Sequence, residues 1–105
     1  MKMNLDDVSR QSMEIRGRYH ELEKEIHGSE WSLEEDALAF LTDAGLTGRL
    51  VMANQGRWPS DAQDQLPAKI GECVWWLAVL AQRSGYSFED CVENFLSEKK
   101  MELEE

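Results

Sequence analysis

Apolar residues recur at helical spacing in four stretches of this chain, each bounded by residues that start or stop helices. In the first stretch, Leu5, Val8, Ser12, Ile15, Tyr19, Leu22 and Ile26 alternate spacings of three and four, a seven-residue repeat with one polar member. A long amphipathic helix is predicted there, ending at Gly28, a residue that accepts the left-handed backbone of a C-terminal cap. Ser32 followed by Glu35 gives a capping-box signature, and a second helix is predicted from about Leu33 to Gln55. On it Ala37, Leu41, Ala44, Gly48 and Val51 form one stripe with Leu38, Gly45 and Met52 beside it, a pattern that lets another backbone come close. Glycine costs about 1 kcal/mol against alanine inside a helix, so Gly45 and Gly48 imply a packing or site constraint close to Asp43.

The segment Gly56-Arg57-Trp58-Pro59-Ser60-Asp61 breaks this pattern and predicts a loop able to close over a site. Pro67 suits the first turn of a third helix, which runs through Ala81 to a stop at Gly85. Its stretch C-V-W-W-L-A-V-L-A is apolar on almost every side, and such a helix must be covered all round, which a short chain rarely achieves alone. Ser87 with Asp90 opens a fourth helix with Phe88, Cys91, Val92, Phe95 and Leu96 on one face, before a charged tail expected to fray. The expected fold is therefore all-α: one domain over residues 1–105, a four-helix bundle completed by homo-oligomerisation as a dimer or tetramer.

Composition narrows the partners. A chain of 105 residues builds one core, and four Trp give that core or an interface large anchoring area. A formal charge of −10 excludes the basic footprint that duplex nucleic acid or an anionic membrane surface requires. No apolar run approaches the ~20 residues of a membrane span, and the start M-K-M-N-L-D-D lacks a signal peptide's apolar core, so a cytoplasmic protein is expected. Cys73 and Cys91 lack C-x-x-C spacing and are expected as buried free thiols. His20 and His27 lie two helical turns apart, too far to chelate one ion, and are expected at the surface.

Candidate chemistry centres on Asp43 and Glu72, carboxylates on two otherwise apolar helical faces. Burying an ionised carboxylate costs several kcal/mol unless a metal, a salt bridge or a ligand compensates it. Magnesium often uses one or two carboxylates plus substrate phosphates, so the pair is a candidate metal site. Lys69, one turn before Glu72, offers two other readings: it pairs with Asp43 or Glu72 and no metal binds, or it contacts a nucleotide phosphate as a point charge. Glu34, Glu35 and Asp36 meet the positive end of the second helix, although Asp36 also shares a face with Asp43 and would extend an acidic site. Trp75 and Trp76 are expected in the core, while Trp58 beside Arg57 either stacks a base or caps the core. A metal-independent nucleotide pocket would gather Lys69, Arg57 and Trp58. The chain has no glycine-rich phosphate loop, nucleophile elbow or H-E-x-x-H segment, so covalent catalysis has no anchor.

Through D-A-G-L-T-G-R-L-V-M and K-I-G-E-C-V-W-W-L-A-V-L-A, the chain resembles the MazG-like all-α nucleoside triphosphate pyrophosphohydrolases over about residues 31–96. The resemblance implies a helical homodimer or tetramer with sites between helices. It also implies magnesium held by two carboxylates three apart on each motif helix, and release of pyrophosphate from a nucleotide. Asp43 matches the first carboxylate and Glu72 the last, but Leu46 and Lys69 stand where the family has its second and third. Asn94, Lys99 and Lys100 are loose candidates for phosphate contacts. The expectation is a pyrophosphohydrolase-like protein with weakened or lost catalysis. The alternative is a non-catalytic oligomerisation module or a metal-independent nucleotide binder, and a Lys69–carboxylate salt bridge discriminates in favour of the oligomerisation module.

Overall fold

The computed structural model describes residues 2–59 and 63–104, with the side chain of Gln63 left aside. Four helices follow one another: α1 Leu5–His27, α2 Leu33–Asn54, α3 Leu66–Arg83 and α4 Phe88–Glu104, with a short 3-10 turn at Gln63–Gln65 leading into α3. No strand occurs among the described residues, and none of their helices is long and apolar enough to cross a membrane.

The helix boundaries follow from local chemistry. Asn4 opens α1: its side chain accepts the Asp7 N–H at 2.8 Å, and Asp7 accepts the Asn4 N–H at 3.2 Å. That backbone bond, helped by Arg10, holds the Asp7 carboxyl below its ordinary range. Gly28 closes α1 with φ of 80°, a left-handed backbone that residues with a Cβ rarely adopt. Ser32 and Glu35 form the expected capping box of α2. Pro67 sits in the first turn of α3, and the Ser87 hydroxyl accepts the Asp90 N–H at the start of α4. The charged tail expected to fray is helical through Glu104.

Helix α3 is the hub. It packs against α1, α2 and α4, whereas α1 and α2 flank it without backbone contact between them. The buried apolar residues are few: Leu50, Ala53, Trp76, Ala78, Val79 and Phe88. The radius of gyration is 16.3 Å, against about 13 Å for a compact domain of this size.

Several expected faces point elsewhere. The face of α1 turned inward carries Ser9, Ser12 and Arg16, while Ile15, Tyr19, Leu22 and Ile26 of the seven-residue repeat are exposed. In α2 the inward face runs through Asp36, Asp43, Leu50 and Ala53. The expected stripe is outward, with Leu38 and Leu41 each 63% exposed. Gly45 and Gly48 meet no neighbouring atom within 4 Å of where a Cβ would stand. Along α3, Ile70, Val74 and Leu77 remain exposed at spacings of four and three. The physical reason on α1 and α2 is shared: their inward faces carry the positions that find ion-pair partners, Arg16, Asp36 and Asp43, and a second, apolar face is left open. Cys91, expected buried, is exposed on α4, whereas Cys73 is partly buried. His20, expected at the surface, is mostly covered beside Glu30, and its Nε2 is buried without a hydrogen-bond partner.

Candidate functional site

Packing α2 against α3 brings the two sequence-flagged carboxylates to one lysine. Lys69 Nζ donates to Asp43 Oδ1 at 3.1 Å and to Glu72 Oε1 at 2.8 Å. The other Asp43 oxygen, Oδ2, accepts Trp76 Nε1–H at 2.8 Å. Asp43 therefore has both oxygens engaged by donors from α3, one of them cationic. Thr47, one turn after Asp43, donates to the Asp43 carbonyl at 2.8 Å and lies 3.2 Å from Cys73 Sγ. Lys69 Nζ is held close enough to both carboxylates that hydrogen bonds to Glu72 and then Asp43 raise its pKa. A raised lysine pKa means the pairing is complete below the unfolded value of about 10.4 and is lost only as pH climbs through the higher folded one. The ammonium is charged throughout the neutral range.

A second ion cluster lies toward the other end of α3, where Arg83 stands about two turns beyond Trp76, and it was not legible as a unit in the sequence. Asp36 has no exposed side-chain surface and accepts from two arginines: Arg16 Nη2 at 2.8 Å on Oδ1, and Arg83 Nη1 at 2.7 Å on Oδ2. Arg16 also donates to Glu23 through Nη1 at 2.8 Å and Nη2 at 3.3 Å. Glu23 accepts the Trp31 N–H at 2.8 Å, and Arg83 donates to the Trp31 carbonyl at 3.1 Å. Two guanidinium groups and two carboxylates thus join α1, α2, α3 and the α1–α2 connection with no net charge. Burial pushes the Arg16 pKa down, but Glu23 and Asp36 more than reverse it. Burial likewise raises Glu23, and Arg16 with the Trp31 N–H brings it below the usual carboxylate range. Asp36, expected mainly to meet the helix dipole, is instead the centre of this cluster. Its signal in the sequence was a polar stripe, Ser9, Ser12, Arg16 and Glu23, at helical spacing along α1.

The remaining candidates lie apart. Trp58 is 41% exposed, and Arg49 covers its ring at 3.8 Å from the centroid. Arg57 is exposed after the end of α2 and Asn94 is exposed on α4. Among the described residues no hydrogen bond or ion pair links Arg57, Trp58 or Asn94 to Lys69. Ser60 and Asp61 of the expected loop lie outside the described residues. Trp75, expected in the core, is partly exposed, and its Nε1 donates to the Ser12 carbonyl at 3.2 Å.

Compared with protein-family profiles, curated proteins and solved structures, the chain matches none. The magnesium implied by the MazG resemblance can therefore be weighed only on the residues present. Magnesium takes oxygen ligands in octahedral geometry, whereas here an ammonium bridges the only two matching carboxylates and an indole N–H holds one of them. Among the described residues no three His, Cys, Asp or Glu side chains gather into a metal site built from protein ligands alone. This donor set fits a lysine and does not fit magnesium.

Proposed function

We propose that this chain is a MazG-like helical module whose lysine replaces the family's metal, and that it works by binding copies of itself rather than by hydrolysing nucleotides. The observation that carries this reading is Lys69 Nζ, within 3.1 Å of Asp43 and 2.8 Å of Glu72. A cation fixed there by its own backbone supplies the neutralisation that a metal would otherwise give, and repels a divalent ion. It is also unable to lower the pKa of a bound water, which is what a metal contributes to phosphate-ester attack.

Self-association is supported by the open faces. Leu38, Leu41, Gly45, Gly48 and Met52 lie along the outward side of α2, where two glycines admit a close backbone. Ile70, Val74 and Leu77 add a strip from α3. Exposed apolar residues in a row along one helix face are what an interaction surface presents.

The test combines electron paramagnetic resonance of Mn²⁺ with light scattering after size exclusion. Native protein is expected to leave Mn²⁺ free with or without a non-hydrolysable nucleoside triphosphate, while Lys69→Glu gains stoichiometric binding. Native protein is also expected to elute as a dimer or larger. Stoichiometric Mn²⁺ binding by native protein, lost in Asp43→Asn, would overturn the lysine-replacement reading and restore the hydrolase. A monomer at every concentration would overturn self-association.

A further inference from the structure

Between α1 and α3 lies a hollow of about 320 Å³ with Tyr19, Trp31, Trp75 and Trp76 on its walls and Arg16, Glu23 and Glu72 among them. A second hollow of about 420 Å³ shares Tyr19, Glu72 and Trp75 with it, so the two adjoin across these side chains in a solvent-open groove. We propose that this groove is a binding site for an organic cation of the quaternary ammonium class.

The aromatic residues are arranged as cation recognition requires. Trp75 packs against Trp76 with centroids 4.4 Å apart at 54°, and against Tyr19 at 6.0 Å and 60°. Tilted rings of this kind present faces and edges to a common space, and ring faces attract a cation through their quadrupole, best when the site is partly shielded from water. Two of the rings already face a cation, the Arg16 guanidinium lying 5.7 Å from the Trp31 centroid and 5.5 Å from that of Trp76, so a ligand would use chiefly the other two, the half-exposed Tyr19 and the partly exposed Trp75. Arg16 does not make the groove cationic, because Glu23 and Asp36 neutralise it at 2.8 Å each.

Charge at the mouth selects the sign of the ligand. Asp43 and Glu72 share one ammonium, Lys69, which leaves one negative charge in excess. The Glu72 side chain is 41% exposed and lines both hollows. With a chain charge of −10 behind it, the groove repels phosphates and attracts cations. A quaternary ammonium fits better than a primary one, since it has no N–H to satisfy and loses little hydration among indoles. The head is carried either by a small molecule such as choline or by a trimethylated lysine side chain. Every wall belongs to one chain, so the site does not depend on self-association.

Tryptophan fluorescence and calorimetric titrations test it with choline, its neutral carbon isostere 3,3-dimethylbutan-1-ol, capped trimethyllysine with capped lysine as its control, and cytidine. Choline or capped trimethyllysine is expected to bind saturably, one per chain, with choline roughly tenfold tighter than the isostere and trimethyllysine roughly tenfold tighter than lysine. The relative affinities of the two cations then tell the small-molecule source from the side-chain source. Glu72→Gln should weaken cation binding severalfold and leave the isostere unchanged, and Tyr19→Leu, at a half-exposed ring, should weaken it without unfolding the helices by circular dichroism. Equal binding of the isostere, binding of cytidine alone, or no cation binding by native protein would each overturn the proposal.

Discussion

Asp36 is the residue on which the most electrostatic structure rests. Its carboxylate is wholly buried between Arg16 and Arg83, and removing one member of a buried ion cluster leaves the others uncompensated at about 3–5 kcal/mol. Asp36→Ala is expected to lower the unfolding free energy by that amount in urea titrations, a large share of the stability of a small domain. Glu23 gives a different readout because its folded pKa is lowered. Its contribution is present above the unfolded value of about 4.3 and fades as pH falls through the lower folded value. In thermal melts the Tm gap between native protein and Glu23→Gln should therefore be widest near neutral pH and close toward pH 3. A gap that persists at pH 3 would mean that Glu23 acts through packing and not charge.

At the scale of the helix, the sequence was most informative where the signal is local. Caps such as Ser32–Glu35, Gly28 and Ser87 fix backbone hydrogen bonds within a few residues, and the structure has them where the pattern placed them. Lys69 beside Asp43 and Glu72 was legible too, since i, i+3 spacing puts Lys69 and Glu72 on one face and only α2 had to supply the second carboxylate. Facing was not legible. A seven-residue apolar repeat says that Ile15, Tyr19, Leu22 and Ile26 share a stripe, but not whether this chain or another covers it, and the inward face of α1 is polar because Arg16 finds its counter-ions there. The glycines of α2 make the distinction measurable. Nothing lies near a Cβ added at Gly48, so within one chain Gly48→Ala gains helix propensity of about 1 kcal/mol. On a self-associating face the added methyl holds the helices apart. Gly48→Ala is thus expected to raise Tm in dilute solution while weakening association in sedimentation equilibrium, and a variant that associates as tightly as native protein would remove α2 from the interface.

For the whole molecule, apolar faces and net charge act in opposition. In the proposed self-association the open faces on α2 and α3 would draw chains together, while each chain brings a formal charge of −10 to the encounter. Coulomb repulsion between like-charged copies decays with the Debye length, which shortens from about 30 Å at 0.01 M salt to about 8 Å at 0.15 M. Apolar burial is not weakened over that range. The internal ion pairs sit within single chains and are short, so salt screens them less than it screens repulsion between chains. Raising sodium chloride from 0.01 to 0.15 M should therefore tighten self-association, seen as a shift to larger mass in light scattering at fixed protein concentration. An interface held by complementary charges would respond in the opposite sense, dissociating as salt rises, and that result would move the contact away from the Leu38–Leu41–Gly48 face toward the charged surfaces of α1 and α4.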